Sequence, residues 1–122
     1  MKQFISLHFN NDNSIVGISI DKLVCAAFTE DNKCTQLYVE GEEDVIYFVN
    51  ETPTMIMKSI GDKREFILVH SRSTNNDVII PKDIIRTVKE STVGSVISIN
   101  NPAFADFDVN EKVSSVINML NS

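Results

Sequence analysis

Apolar and polar residues alternate in short runs along most of this chain, with polar turns between the runs. The run at 4–9 alternates and ends in an Asn-rich turn, which is typical of a β-hairpin, and the run at 15–20 alternates as well. The run at 23–29 is almost entirely apolar, which indicates a strand buried on both faces. Alternation resumes at 35–40 and at 45–49. The pattern predicts five strands in the first half of the chain.

Each half then ends in a predicted short helix. Thr52 suits an N-cap because Pro53 follows it at the first helical position, and Gly61 suits the position just after the helix. In the second half, four apolar residues fall on one stripe of a helix. They are Val113, Val116, Ile117 and Leu120. Helices this short need packing against a sheet to persist.

The second half of the sequence repeats the first. Lys2 to His8 matches Arg64 to His70, which lies 62 positions later. We place a two-residue slip in the polar turn that follows, so that later matches lie 60 positions apart. These matches include Ile20 with Ile80, Tyr47 with Phe107, Ile56 with Val116, and the identical triplets Val49-Asn50-Glu51 and Val109-Asn110-Glu111. A match that holds register over so much chain indicates an internal duplication.

The predicted fold is α+β and mostly β, with two tandem antiparallel β-sheet repeats that each end in a short helix and are related by a pseudo-twofold axis. A unit of this size buries only about 60% of its unfolded surface. We therefore expect repeat 1 (1–61) and repeat 2 (62–122) to pack tightly into a single compact domain, 1–122, with one shared core. Exposed sheet edges and uneven charge lead us to expect a homo-oligomer.

Composition narrows the classes of function. The net charge of the 122 residues is −6, which argues against a strongly basic nucleic-acid domain and against an anionic membrane surface. No apolar run is long enough for a signal peptide or a membrane span, so we expect a cytoplasmic protein without a membrane partner. Cys25 and Cys34 lack metal-ligand spacing, and we expect free thiols, the first in the core and the second partly exposed.

Catalytic and nucleotide-binding motifs are missing, since the sequence has no phosphate-binding loop, nucleophile elbow or zinc-protease motif. We expect a non-enzymatic protein without a cofactor. Asp106 and Asp108 have the spacing of one strand face, and residues 40–44 form an acidic turn. We interpret these carboxylates as solvated charge that protects sheet edges rather than as an acid–base pair.

His8 and His70 hold matching positions at the ends of the first strands of the two repeats. A pseudo-twofold axis could bring them together as a metal site or a pH-sensitive site. The alternative is that common descent alone kept two imidazoles at strand ends, since no Cys, Asp or Glu joins them at a fixed spacing.

Basic residues gather in the second repeat and offer a face for an anion or a nucleic acid. They are Arg64, Arg72, Lys82, Arg86 and Lys89. Residues 30–51 hold seven acids and one lysine. Attraction between this acidic segment and the basic residues of the second repeat is therefore an alternative explanation for the uneven charge along the chain. Phe66 is the one stacking ring we identify near these cations, and its match with Phe4 also suits a shared core residue. We therefore expect only weak binding to single-stranded nucleic acid at physiological salt.

The second repeat resembles the small FlbD-type flagellar-operon proteins and similar short bacterial and phage proteins. The similarity follows the order of strands, turns and final helix in the segments 66–69, 78–81, 84–88, 95–99, 109–111 and 113–120. This resemblance implies packing positions and turns, with no catalytic residue. The order of elements is also similar to that of Pur-alpha and Whirly proteins, which bind single-stranded nucleic acid.

We therefore expect a phage or bacterial accessory protein that acts through a protein partner. Two alternatives stay open. One is a single-stranded nucleic-acid-binding protein of the Pur or Whirly type, and the other is a protein that sequesters a small nucleotide signal.

Overall fold

The computed structural model describes residues 3–31 and 33–122, which form an α+β fold that is mostly β, as predicted. The first half of the chain contains β1 (Phe4–His8), β2 (Ile15–Ser19), β3 (Leu23–Thr29), β4 (Cys34–Val39), β5 (Tyr47–Val49) and α1 (Pro53–Ile60). The second half contains β6 (Phe66–His70), β7 (Asp77–Pro81), β8 (Ile85–Glu90), β9 (Ser95–Ile99), β10 (Phe107–Val109) and α2 (Val113–Asn121). The order of elements is therefore the same in the two halves.

The strands form three antiparallel sheets in the described part of the chain. Five strands make the largest, in the order β5-β4-β3-β7-β6, so it combines strands of both halves. A three-stranded sheet has the order β10-β9-β8, and β1 and β2 form a separate hairpin. Strand β3 lies at the centre of the large sheet, which explains its continuous apolar run.

The first hairpin of each half has the same register. Ile5 pairs with Ile18 in β1–β2, and Ile67 pairs with Ile80 in β6–β7. Both strands of the hairpin are thus displaced by 62 positions between the halves, and Ile18 corresponds to Ile80. The predicted match of Ile20 with Ile80 is wrong.

The two-residue slip lies in the turn after the third strand of each half. Phe28 pairs with Thr35, seven positions on, whereas Glu90 pairs with Ser95, five positions on. The turn after the first strand, where we had placed the slip, has the same length in both halves. Beyond the third strand the displacement is 60 positions, as predicted. Superposition of the halves and a pseudo-twofold axis stay predictions.

One strand pair joins the two halves. Ala26 of β3 pairs with Ile79 of β7 in the middle of the large sheet. The residues that correspond to them by register are Val88 in β8 and Gly17 in β2, and these strands lie in different sheets. Gly17 is exposed and has no side chain to pack across such a pair, whereas Ile79 is fully buried. The strands of the two halves thus form unequal sheets.

Two hydrophobic clusters fill the interior, where we had expected one shared core. The first consists mainly of first-half residues but includes Ile79, which is fully buried. The second consists mainly of second-half residues but receives Ala27 from β3. One face of the large sheet packs on the first cluster and the opposite face packs on the second, so β3 and β7 contribute side chains to both clusters.

The helices begin and end largely as predicted. Thr52 Oγ1 accepts a hydrogen bond from the Met55 N–H at 3.2 Å, and Gly61 ends α1 with a positive φ of 62°. Val116 of α2 is fully buried in the second cluster. Ile117 is 43% exposed, so its place in the predicted stripe is wrong; Met119 packs there instead.

Both cysteines are buried and free, which corrects the expectation that Cys34 is partly exposed. Burial raises the pKa of the Cys25 thiol to about 12 and also raises the pKa of Cys34. Neither thiol is poised to react at neutral pH.

Candidate nucleic-acid interface

Each histidine contacts a glutamate of its own half. His8 Nδ1 lies 2.6 Å from Glu51 Oε2, and the His8 backbone N–H donates to Glu51 Oε1 at 3.0 Å. The same two contacts join His70 and Glu111, at 2.6 and 2.9 Å. His70 Nε2 also lies 3.1 Å from Asp77 Oδ1. Each pair fastens the end of the first strand of its half to the residue two positions before the helix of that half.

These contacts have electrostatic consequences. The hydrogen bond with Glu111 is the main cause that raises the pKa of His70, and the nearby Asp77 adds to it. Burial alone would raise the pKa of Glu111, but the hydrogen bonds from the His70 ring and backbone outweigh burial and lower it. The pKa of Glu51 is lowered by the matching balance of burial and contacts with His8.

The sequence analysis did not identify the glutamates as partners of His8 and His70. Glu51 and Glu111 end the identical Val-Asn-Glu triplets, so a signal was present in the sequence. Within residues 3–31 and 33–122, no group of three or more His, Cys, Asp or Glu side chains is arranged to hold a metal ion. Each histidine thus contacts a carboxylate of its own half, and a joint site of His8 and His70 stays a prediction.

Arg64 is a structural residue. Its side chain is only 8% exposed, and Nη1 donates to the backbone oxygens of Ile20 and Leu23 at 2.6 and 2.8 Å. Nη2 donates to Asp83 Oδ1 at 3.0 Å, and the guanidinium lies over the Phe66 ring at 5.8 Å. The hydrogen bonds to Ile20 and Leu23 hold the second half against the first, and those to Asp83 lie within the second half. Because the side chain is buried and engaged, Arg64 does not belong to an exposed anion-binding face.

Two further cations of the predicted face are engaged. Arg72 Nη2 lies 3.3 Å from Asp108 Oδ2. Lys82 Nζ lies 3.4 Å from Glu65 Oε1 and donates to the backbone oxygen of Ser122 at 3.2 Å. Phe66 packs against the first hydrophobic cluster and is only partly exposed, so it does not present an open stacking surface.

Arg86 and Lys89 are the members of the predicted face that are exposed and make no ion pair with a described residue. Both lie on β8, an edge strand of the three-stranded sheet. Val88 packs into the second cluster, so Lys89, the next residue, faces the opposite side of the sheet. A third exposed cation, Lys112, is the N-cap residue of α2.

Lys89 and Lys112 lie at the same end of this sheet. Glu90 pairs with Ser95, and the Ser95 hydroxyl donates to the backbone oxygen of Glu111 at 2.8 Å. Lys89 directly precedes Glu90, and Lys112 directly follows Glu111, so each lysine is next to one of these linked residues. The sequence analysis left Lys112 out because it lies beyond the basic segment, and only the sheet pairing brings it near β8.

The whole chain is similar in structure to a solved protein domain. The likeness covers 100% of this chain and 99% of the other, with a TM-score of 0.65 and 13% sequence identity, and the other chain is described as a LytTr DNA-binding domain from Bacillus cereus. Neither a protein-family model nor a curated protein sequence matches. At this identity the likeness shows the fold.

This finding corrects two expectations from the sequence. The resemblance to FlbD-type proteins and the looser one to Pur-alpha and Whirly proteins are wrong, because one solved domain accounts for the full chain. The expectation of an accessory protein that acts through a protein partner is also overturned, because the domain that shares the fold is described as DNA-binding.

Neither described helix has the length and apolar character of a membrane span.

Proposed function

We propose that this chain is a non-enzymatic DNA-binding domain. The observation that carries the proposal is the full-length structural likeness to a LytTr DNA-binding domain. The nucleic-acid alternative from the sequence analysis agrees with it better than a role through a protein partner. A cytoplasmic location, expected from the sequence, would give the domain access to DNA.

The interface that we assign to DNA is formed by Arg86, Lys89 and Lys112, here called the β8 cation group. These side chains are exposed and make no ion pair within the described residues, so phosphates can reach them without breaking an internal contact. Because the net charge is −6, the attraction of DNA phosphates must come from this local group of cations rather than from the protein surface as a whole. Binding should therefore weaken steeply as salt increases.

Duplex DNA fits this group better than a single strand does. Stacking platforms for single strands need exposed aromatic rings beside the cations. The most exposed aromatic side chains of the described residues, Phe4 and Phe48, belong to the first half of the chain. Contacts from the β8 cation group would go to the phosphate backbone, which a duplex presents at high density.

The proposal is tested by fluorescence anisotropy with a labelled random-sequence duplex at several salt concentrations. We expect a dissociation constant of about 10⁻⁴–10⁻⁶ M near physiological salt, and tighter binding at about 50 mM. The double variant Arg86→Ala/Lys89→Ala should bind more weakly and should reduce the slope of log K against log salt by about 2.

The matched control is Lys58→Ala/Lys63→Ala, which removes the same charge from exposed residues on the other half and its junction. This control should leave the slope unchanged. An equal loss in both double variants would refute the β8 cation group as the interface. Absence of binding by the parent protein at about 50 mM salt would refute the proposed function itself.

A further inference from the structure

A cleft of about 630 Å³ opens between the large sheet and the segment that leads into β10. Its floor includes Cys25, Ala27 and Val78, and one wall is formed by Phe104, which meets the Tyr38 ring edge-on with centroids 5.7 Å apart. The volume lies within the usual range for small-molecule sites. Apolar and aromatic side chains at its base favour a flat, apolar group.

Charged side chains line the rim of the cleft. Arg72 and Asp108 form a half-exposed ion pair there, and Asp106 adds a second carboxylate that makes no ion pair within the described residues. Two carboxylates against one guanidinium leave the rim with negative charge. A phosphate or carboxylate group would be repelled, whereas a cationic group or an N–H donor would be attracted.

The first half of the chain shows that the fold does not require these charges. A smaller cleft at the matching position has the same backbone link, since Asn10 N donates to the Phe48 oxygen and Arg72 N donates to the Asp108 oxygen, both at 2.9 Å. Its lining side chains are Phe9, Asn10, Asn11, Ile46 and Phe48, in place of Ser71, Arg72, Ser73, Asp106 and Asp108. The charged rim is thus specific to the larger cleft.

We propose that this cleft binds a small planar aromatic molecule that carries a cationic or N–H-rich group, such as an amidine or an amino-substituted heteroaromatic ring. The ring lies on the apolar floor beside Phe104, and the polar group faces Asp106 and Asp108. The site is separate from the β8 cation group and does not depend on DNA binding. It also differs in charge from a site for a nucleotide signal, because the rim repels phosphate.

The probe for this site is benzamidine, with benzoate as a comparison of the same ring and opposite charge. We expect benzamidine to shift the backbone amide resonances of residues around the cleft, with a dissociation constant of about 1–10 mM for so small a molecule. Benzoate should bind at least about tenfold more weakly. Equal shifts with both molecules, shifts away from the cleft, or no shifts with benzamidine would refute the proposal.

Variants separate the contribution of the charge from that of the ring. Asp106→Asn should weaken benzamidine binding about three- to fivefold, as expected for a half-solvated charge pair. The matched control Asp44→Asn, an exposed acid in a first-half turn, should have no effect. Phe104→Ala should weaken both benzamidine and neutral benzamide, and an unchanged affinity in either variant would contradict the proposed pose.

Discussion

At the scale of single residues, the contacts of His70 and Glu111 make stability depend on pH. Glu111 has a lowered pKa, so its contribution is present above its unfolded value near 4.5 and is lost as pH falls. His70 has a raised pKa, so its contribution is present below its unfolded value near 6.5 and is lost as pH rises through the folded value. The pair therefore stabilises the fold most between these two values.

We expect Glu111→Gln to lower the free energy of unfolding most at about pH 5.5, and less at higher pH, because the contribution of His70 is lost as the pH rises through its raised pKa. Some loss should persist at high pH because Glu111 also accepts from the His70 backbone N–H. Urea unfolding at several pH values measures this dependence. Glu90→Gln, at an exposed residue of β8, serves as the control, and a difference between parent and Glu111→Gln that does not change with pH would contradict the assignment.

At the scale of elements, α2 depends on a narrow contact with the sheet. Val116 is fully buried among residues of the second cluster, whereas Ile117, one position on, is 43% exposed. A helix of nine residues has little stability of its own, so the buried contact decides whether it forms.

Val116→Asp should destabilise the protein by about 4 kcal/mol or more, because it buries a carboxylate without a partner. Ile117→Asp introduces the same group into the same helix and should cost less than about 1 kcal/mol. Thermal unfolding followed by circular dichroism compares the two. Similar losses in both variants would show that the helix faces the sheet differently.

At the scale of the whole molecule, Arg64 and the pairing of β3 with β7 hold the two halves together. We propose that the chain folds as the single domain expected from the sequence, and Arg64 provides a way to test it. Arg64→Met should cost about 3 kcal/mol, because it removes the hydrogen bonds that the guanidinium donates to the backbone oxygens of Ile20 and Leu23 and to the carboxylate of Asp83; the Ile20 oxygen keeps only the Leu23 N–H.

Arg72→Met is the matched control, since its ion pair with Asp108 is largely solvated and should cost less than about 1 kcal/mol. Unfolding of the parent protein and of both variants should be followed by two probes, one in each half. Separate transitions in the parent protein would contradict a single domain.

The expected homo-oligomer stays a prediction, for which the open edges of β2 and β8 provide a surface.

Local signals in the sequence were sufficient for much of the fold. Alternation placed the strands of the first half to within one residue, except at β5, which begins two residues later than predicted, at Tyr47, because Val45 still belongs to the preceding turn. Thr52, Pro53 and Gly61 defined the ends of α1 because caps and backbone torsions act over a few residues. The α+β class followed from these elements.

The candidate site was less accessible to sequence reasoning. Charge identity is visible in a sequence, but exposure is not, so buried Arg64 and exposed Lys89 looked alike. The larger cleft could not be anticipated, because Tyr38 and Phe104 meet only when the segment before β10 crosses the large sheet. The glutamate partners of the histidines were missed for the same reason, since more than forty positions separate each pair.

The sequence by itself determined the order of strands and helices in each half, because the period of two and the helix caps depend on neighbouring residues. Only the tertiary structure decided how the two halves join. Ala26 of β3 pairs with Ile79 of β7, whereas Val88 of β8 and Gly17 of β2, at the corresponding positions, lie in separate sheets. Such a choice compares the burial of distant side chains, which no local pattern records.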